Sequence, residues 1–152
     1  MSPPEIWGPA TWSLFHTLAE HMNDESIIPQ LFNNIKQICM FLPCPECSKD
    51  ATDMLNQIDI SKITTKQRFI ELIFVFHNMV NKKKYKRIIG SYNDIKSKYT
   101  DADLSAVFTA FLNSYSTTGN LKLMAEENQR RMIRASFGKW LFENRKYFIR
   151  KS

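Results

Sequence analysis

Two of the chain's three cysteines, Cys44 and Cys47, stand three residues apart in "FLPCPECSKD" at 41–50. Pro45 suits the first position of a helix, so Cys44 falls where that helix begins. A thiolate there faces backbone N–H groups without helical partners and the positive end of the helix dipole, and both lower its pKa. A redox dithiol needs one exposed, reactive sulfur, here Cys44, and a deeper partner one turn on, here Cys47. Two other readings of the pair stay open. It could be half of a zinc site, but Cys39, the third thiol, falls on the core face of the preceding helix. It could also be two inert, reduced thiols. A thioredoxin-like fold is set aside, because the chain has no βαβ pattern.

A second constellation lies in "FHNMVNKKKYKR" at 76–87. His77, Val80 and Asn81 share a helix face at i, i+3 and i+4. The helix then runs into Lys82, Lys83, Lys84, Lys86 and Arg87. Polar groups beside an apolar core, followed by a basic run, suit a ligand with a ring system and a phosphate end. A core histidine with solvated lysines explains the same residues. Trp12 and His16 repeat the theme at i, i+4 in "WGPATWSLFHTLAEH", where indole and imidazole can stack on a ring or simply pack.

The elements that must carry these residues are helical. Trp12, Phe15, His16 and Ala19 fall on one face of a first helix, with Pro9 in its first turn. A second helix, about 28–41, places Leu31, Ile35, Ile38 and Cys39 at core spacing and ends before Pro43. The third runs from Pro45 to about Gln57. Thr64 or Thr65 caps a fourth, 66–84, striped by Phe69, Ile73, Phe76 and Val80. A short helix follows over 93–99, then two more over 104–115, capped by Asp101 or Asp103, and 122–148, parted by "STTGN". No alternating strand pattern is present. The expected architecture is all-α: a four-helix bundle with a short fifth helix over 1–100, and a helical extension over 101–152.

The 152 residues suffice for one domain with a sizeable core. There is no N-terminal pattern of a signal peptide and no apolar run long enough to span a bilayer, so a reducing compartment is expected. The four glycines, Gly8, Gly90, Gly119 and Gly138, are too scattered to write a dinucleotide fingerprint or a phosphate loop. Any nucleotide cofactor must be held in another way. The net charge of +6 lies wholly in residues 122–152, with nine basic and three acidic side chains, while the rest is balanced at twelve against twelve. In that last helix Ile133, Phe137, Trp140, Leu141 and Phe148 form an apolar stripe among arginines and lysines. The stripe is expected to dock on its own domain or a dimer mate. A membrane surface, an acidic or nucleic-acid partner, or the thiol substrate are the alternatives.

In order and spacing, the three motifs resemble the signatures of the Erv/ALR family of FAD-linked sulfhydryl oxidases. These are Trp-x3-His on the first helix, Pro-Cys-x-x-Cys opening the third, and His-Asn-x-Val-Asn on the fourth. The resemblance covers about residues 5–100 and implies FAD bound inside a four-helix bundle. It implies that Cys44 and Cys47 form the catalytic disulfide, with substrate attacking Cys44 and Cys47 facing the flavin. It further implies FAD contacts from Gly8, Trp12, His16, His77, Asn78, Val80 and Asn81, with Lys83 and Lys86 toward the phosphates and ribose. No metal is implied. His21 stands where family members usually have a tyrosine. The chain also lacks the family's shuttle cysteines and its structural disulfide, a pared-down pattern like that of oxidases encoded by large DNA viruses. The implied partners are a thiol-containing protein, such as a thioredoxin-like or small CxxC relay protein, and a second copy in a homodimer. No specific nucleic acid is expected. The implied location is the host cytoplasm, with the virion as a second site. A non-catalytic basic interaction module that keeps the bundle as a scaffold is the alternative.

Overall fold

A computed structural model describes residues 4–116 and 121–149, with side chains described for 5–116 and 126–149. Among the described residues, seven α-helices run in the order α1 Pro4–His21, α2 Ile28–Met40, α3 Pro45–Asn56, α4 Lys66–Lys83, α5 Lys96–Thr100, α6 Leu104–Ser114 and α7 Leu121–Glu143. Among the described residues there is no strand.

Helix limits follow from local chemistry. Pro45 occupies the first turn of α3 and Cys44 caps it. Thr65 caps α4, its hydroxyl accepting from the Arg68 N–H at 3.1 Å. Asp103, rather than Asp101, caps α6 through the Ser105 N–H at 3.0 Å. Three boundaries differ from the sequence expectation, the first being the short helix expected over 93–99, which is a 3-10 turn at Tyr92–Asp94 followed by α5. Helix α1 opens at Pro4, so Pro9 lies inside it, where it removes a helical N–H. Helix α7 stops at Glu143, where the Asn144 backbone N–H and side-chain amide both donate to the Trp140 carbonyl, at 2.9 and 2.8 Å, and a 3-10 turn over Arg145–Phe148 follows. The expected break at "STTGN" lies outside the described residues except for Ser116.

Helix α1 is the hub, packing on α4, α5 and α6, while α2 packs on α3 and α7. Leu14, Phe15 and Leu18 of α1 meet Leu31, Ile35 and Ile38 of α2 and Phe69, Ile73 and Phe76 of α4 in one core. Phe111, Tyr115, Ile133, Phe137, Leu141 and Phe148 belong to the same core. The apolar stripe of α7 therefore docks on its own domain, through Ile133, Phe137 and Leu141.

The turn after α4 shapes the site. The Tyr85 N–H donates to the Lys82 carbonyl at 3.2 Å and the Lys86 N–H to the Asn81 carbonyl at 2.8 Å. This is a Schellman C-terminal motif. It sets Tyr85 at φ 57°, left-handed backbone that glycine usually supplies. The chain thus reverses sharply, and Lys83, Lys84 and Lys86 come to line one cavity.

Candidate active site

Cys44 and Cys47 are joined by a disulfide, with Cα atoms 5.2 Å apart. The Cys47 N–H points at Cys44 Sγ at 3.2 Å, so the sulfur takes the place of an N-cap oxygen. Once the bond is reduced, that N–H and the α3 dipole stabilise negative charge on Cys44. Exposure does not separate the two cysteines, since both are half-buried. The hydrogen bond distinguishes them instead.

Both cysteines line a cavity of about 280 Å³ between α1, the end of α2, α3 and α4. Gly8, Trp12, Val80, Lys83 and Lys86 also line it. The sequence pattern does not single out Trp7, Thr11 or Met54 for this wall, whereas Lys84 belongs to the basic run already named. Trp7, Thr11 and Phe15 stand at i, i+4 and i+8 on α1, a spacing that could have exposed this second face. The floor is apolar, with Phe15 and Phe76 buried. Cys39 closes part of the wall; burial pushes its thiol well above the usual range, so it stays protonated.

His16, His77, Asn78 and Asn81 lie behind this wall and bind other parts of the chain. His16 Nε2 and His77 Nδ1 are 2.9 Å apart and share one hydrogen bond. Trp12 stacks on the His77 ring, and Tyr99 stacks on His16 at 4.5 Å. Burial lowers His16 to about 3, with help from His77 and Lys98. Burial, Lys86 and Lys98 lower His77 to about 4. Both rings are neutral near pH 7. Asn78 grips Ile89 twice, its amide donating to the Ile89 carbonyl and its oxygen accepting from the Ile89 N–H, each at 2.9 Å. The Asn81 amide donates to the Arg87 carbonyl at 3.3 Å. His21 turns to the Tyr99 carbonyl at 3.0 Å and anchors α5.

Three features test the cavity against a flavin. The Trp7 indole N–H is buried without a hydrogen-bond partner among the described residues. A Cβ added at Gly8 meets nothing within 4 Å, so the helix backbone there borders open space. Three lysines end the lining on one side. The volume suits a ring rather than a whole dinucleotide, whose anionic end would run past those lysines. The residues fit such a group. Among the described residues, no cluster of three or more His, Cys, Asp or Glu side chains could hold a metal ion.

Fold and site together define an all-α bundle protein with a helix-capping disulfide beside an apolar slot. The Erv1 / Alr family model matches residues 9–101. The chain belongs to the Erv1/Alr family. It is 35% identical over 82 residues to a protein of Invertebrate iridescent virus 3 named as an FAD-linked sulfhydryl oxidase, covering 51% of this chain and 55% of that one. The FAD-linked sulfhydryl oxidase of African swine fever virus is 29% identical over 117 residues, covering 73% of this chain and 97% of the relative. A similarly named protein of Invertebrate iridescent virus 6 is 32% identical over 87 residues, 51% and 78% of the two chains. The chain thus spans about half of the first relative and nearly all of the second. No solved structure matches it significantly. No described helix is long and apolar enough to cross a membrane.

Proposed function

We propose that this chain is an FAD-dependent thiol oxidase that forms disulfide bonds in protein substrates. The observation that carries the reading is a helix-capping disulfide lining an apolar, ring-sized cavity edged by three lysines, in a chain of this family. When bound, FAD supplies a two-electron acceptor that molecular oxygen reoxidises, with hydrogen peroxide as product.

The chain's own residues perform the thiol chemistry. A substrate thiolate attacks Cys44 Sγ, the Cys44–Cys47 bond breaks, and Cys47 leaves as a thiolate at the cavity wall. The substrate's second thiolate then attacks its own sulfur in the mixed disulfide. Cys44 leaves as a thiolate, and the Cys47 N–H that already points at its sulfur stabilises the charge. The substrate keeps the new disulfide, and the Cys44–Cys47 dithiol holds two electrons for the acceptor. In this reading Gly8, Trp12 and Val80 would flank the ring, Trp7 would donate a hydrogen bond to it, and Lys83 and Lys86 would hold the pyrophosphate. His16 and His77 set the indole of Trp12, while Asn78 and Asn81 hold the loop that carries Lys86.

The substrate is a protein dithiol, of a thioredoxin-like or small CxxC relay type, that meets Cys44 directly. The working form is a homodimer of viral origin acting in the host cytoplasm. Purified protein should be yellow and consume oxygen with dithiothreitol, and Cys47→Ser should abolish turnover while leaving the protein folded. A folded, colourless preparation that FAD cannot reconstitute rejects the reading.

A further inference from the structure

The family match ends at residue 101, yet two side chains beyond it reach back to the chain just before the cysteine pair. The Tyr115 hydroxyl, at the end of α6, donates to the Ile38 carbonyl at 2.9 Å. The Arg130 guanidinium, on α7, donates to the Phe41 carbonyl at 3.3 Å. Those carbonyls belong to the last turn of α2 and to its C-cap, where no intrahelical donor remains to serve the Phe41 carbonyl. Both side chains are fully buried, at 0% exposure.

Burying a guanidinium is costly unless its donors find fixed acceptors. Here they do. Glu127 accepts from Arg130 at 3.2 Å and from Arg134 at 2.9 Å, and Arg134 also donates to the Tyr115 carbonyl. The end of α6, the first half of α7 and the end of α2 are thereby tied into one charged network. From the other side, Ser48 of α3 accepts from the Leu42 N–H at 2.7 Å. Residues 41 and 42 are clamped between the extension and α3, and only the buried Pro43 separates the clamp from Cys44.

We propose that Tyr115 and Arg130 are positioning residues for the Cys44–Cys47 pair, so that the extension sets how readily the disulfide opens. Fixing the chain ahead of Cys44 holds its sulfur at the head of α3, against the Cys47 N–H and within bonding reach of Cys47. That raises the effective concentration of one thiol at the other and favours the disulfide. Releasing the clamp lowers it. The proposal rests on Cys44–Cys47 being the working disulfide.

The test equilibrates the full-length protein with glutathione redox buffers and counts Cys44–Cys47 dithiol by alkylation and mass spectrometry. Tyr115→Phe keeps the ring, stacked on Phe111 at 5.0 Å, and removes only the hydroxyl. It should shift the equilibrium toward the dithiol by about threefold or more, which is about 14 mV for a two-electron couple. Arg130→Met with Glu127→Gln, where it folds, should shift it further. Gln30→Ala breaks the exposed bond from Trp140 to the opposite end of α2, 2.9 Å long, and should leave the equilibrium unchanged. Tyr115→Phe within about twofold of the parent, or Gln30→Ala shifting as far, would overturn the proposal. Flavin content and oxygen uptake of the parent protein test the oxidase reading separately. Their failure beside a shifted Tyr115→Phe would sink that reading and leave the clamp standing.

Discussion

The indole of Trp12 lies flat against the imidazole of His77, with centroids 4.1 Å apart and planes 9° apart. Trp12 faces the cavity, and His77 backs it while bonding to His16 across α1 and α4. The cavity wall is thus an aromatic plate propped by a pair of uncharged histidines.

Protonation of that pair should destabilise the fold. The folded values of about 3 for His16 and about 4 for His77 lie below the ordinary 6.5, so the unfolded chain binds more protons between them. Stability is fully present above pH 6.5 and is lost as pH falls toward 4 and then 3. Each histidine contributes up to about 1.4 kcal/mol per pH unit within its window. Thermal unfolding at pH 7.5, 6 and 5 should show a falling midpoint. The double variant His16→Gln, His77→Gln should flatten that slope, and an unchanged slope counts against the pair as its source.

Asn78 holds the loop that carries Lys86. Asn78→Ala removes both of its bonds to Ile89 and leaves that residue's N–H and C=O without their partner. We expect a loss of about 1–3 kcal/mol in urea unfolding. FAD affinity should fall with it, because Lys86 is no longer held beside the cavity.

Gly8 should separate stability from binding. A helical glycine costs about 0.8–1.0 kcal/mol relative to alanine. The added Cβ at Gly8 meets nothing beyond its chain neighbours, but Pro9 follows, and a Cβ just before a proline crowds the proline ring in helical backbone. That crowding offsets the gain, so Gly8→Ala should leave the melting temperature of the flavin-free protein near that of the parent. Gly8 lines the slot, so the same methyl group should weaken FAD binding in a titration followed by flavin fluorescence. Tighter binding would show that the ring does not approach this backbone.

The three cysteines should differ in reactivity. After reduction at pH 7, iodoacetamide should modify Cys44 first, helped by the N–H that faces its sulfur. Cys39 is 2% exposed and held protonated by burial, so it should react only after denaturation. Peptide mass spectrometry of native and unfolded samples decides this, and early labelling of Cys39 would contradict its buried place.

Much of the helical frame was legible because its signals are local. Pro45 and the capping positions Thr65 and Asp103 act within one turn of where they stand. The Cys44–Cys47 pairing is local in the same sense, since three residues across a helix start bring two sulfurs together. The end of α7 was misjudged because the 3-10 turn after Asn144 still buries Phe148, so the apolar spacing does not mark the change of helix type. Trp7 was missed because its role depends on which face of α1 borders the cavity, and the stripe through Trp12 and His16 drew attention to another face.

By itself the sequence determined an all-helical chain, a cysteine pair at a helix start, and the motif order that places it in its family. Helix propensity, capping and i, i+3 spacing all act between near neighbours. Only the tertiary structure decided that His16 bonds to His77 across 61 residues and that Arg130 reaches Phe41 across 89. Such contacts depend on how buried faces of distant helices interlock, and no local pattern encodes the register of that packing.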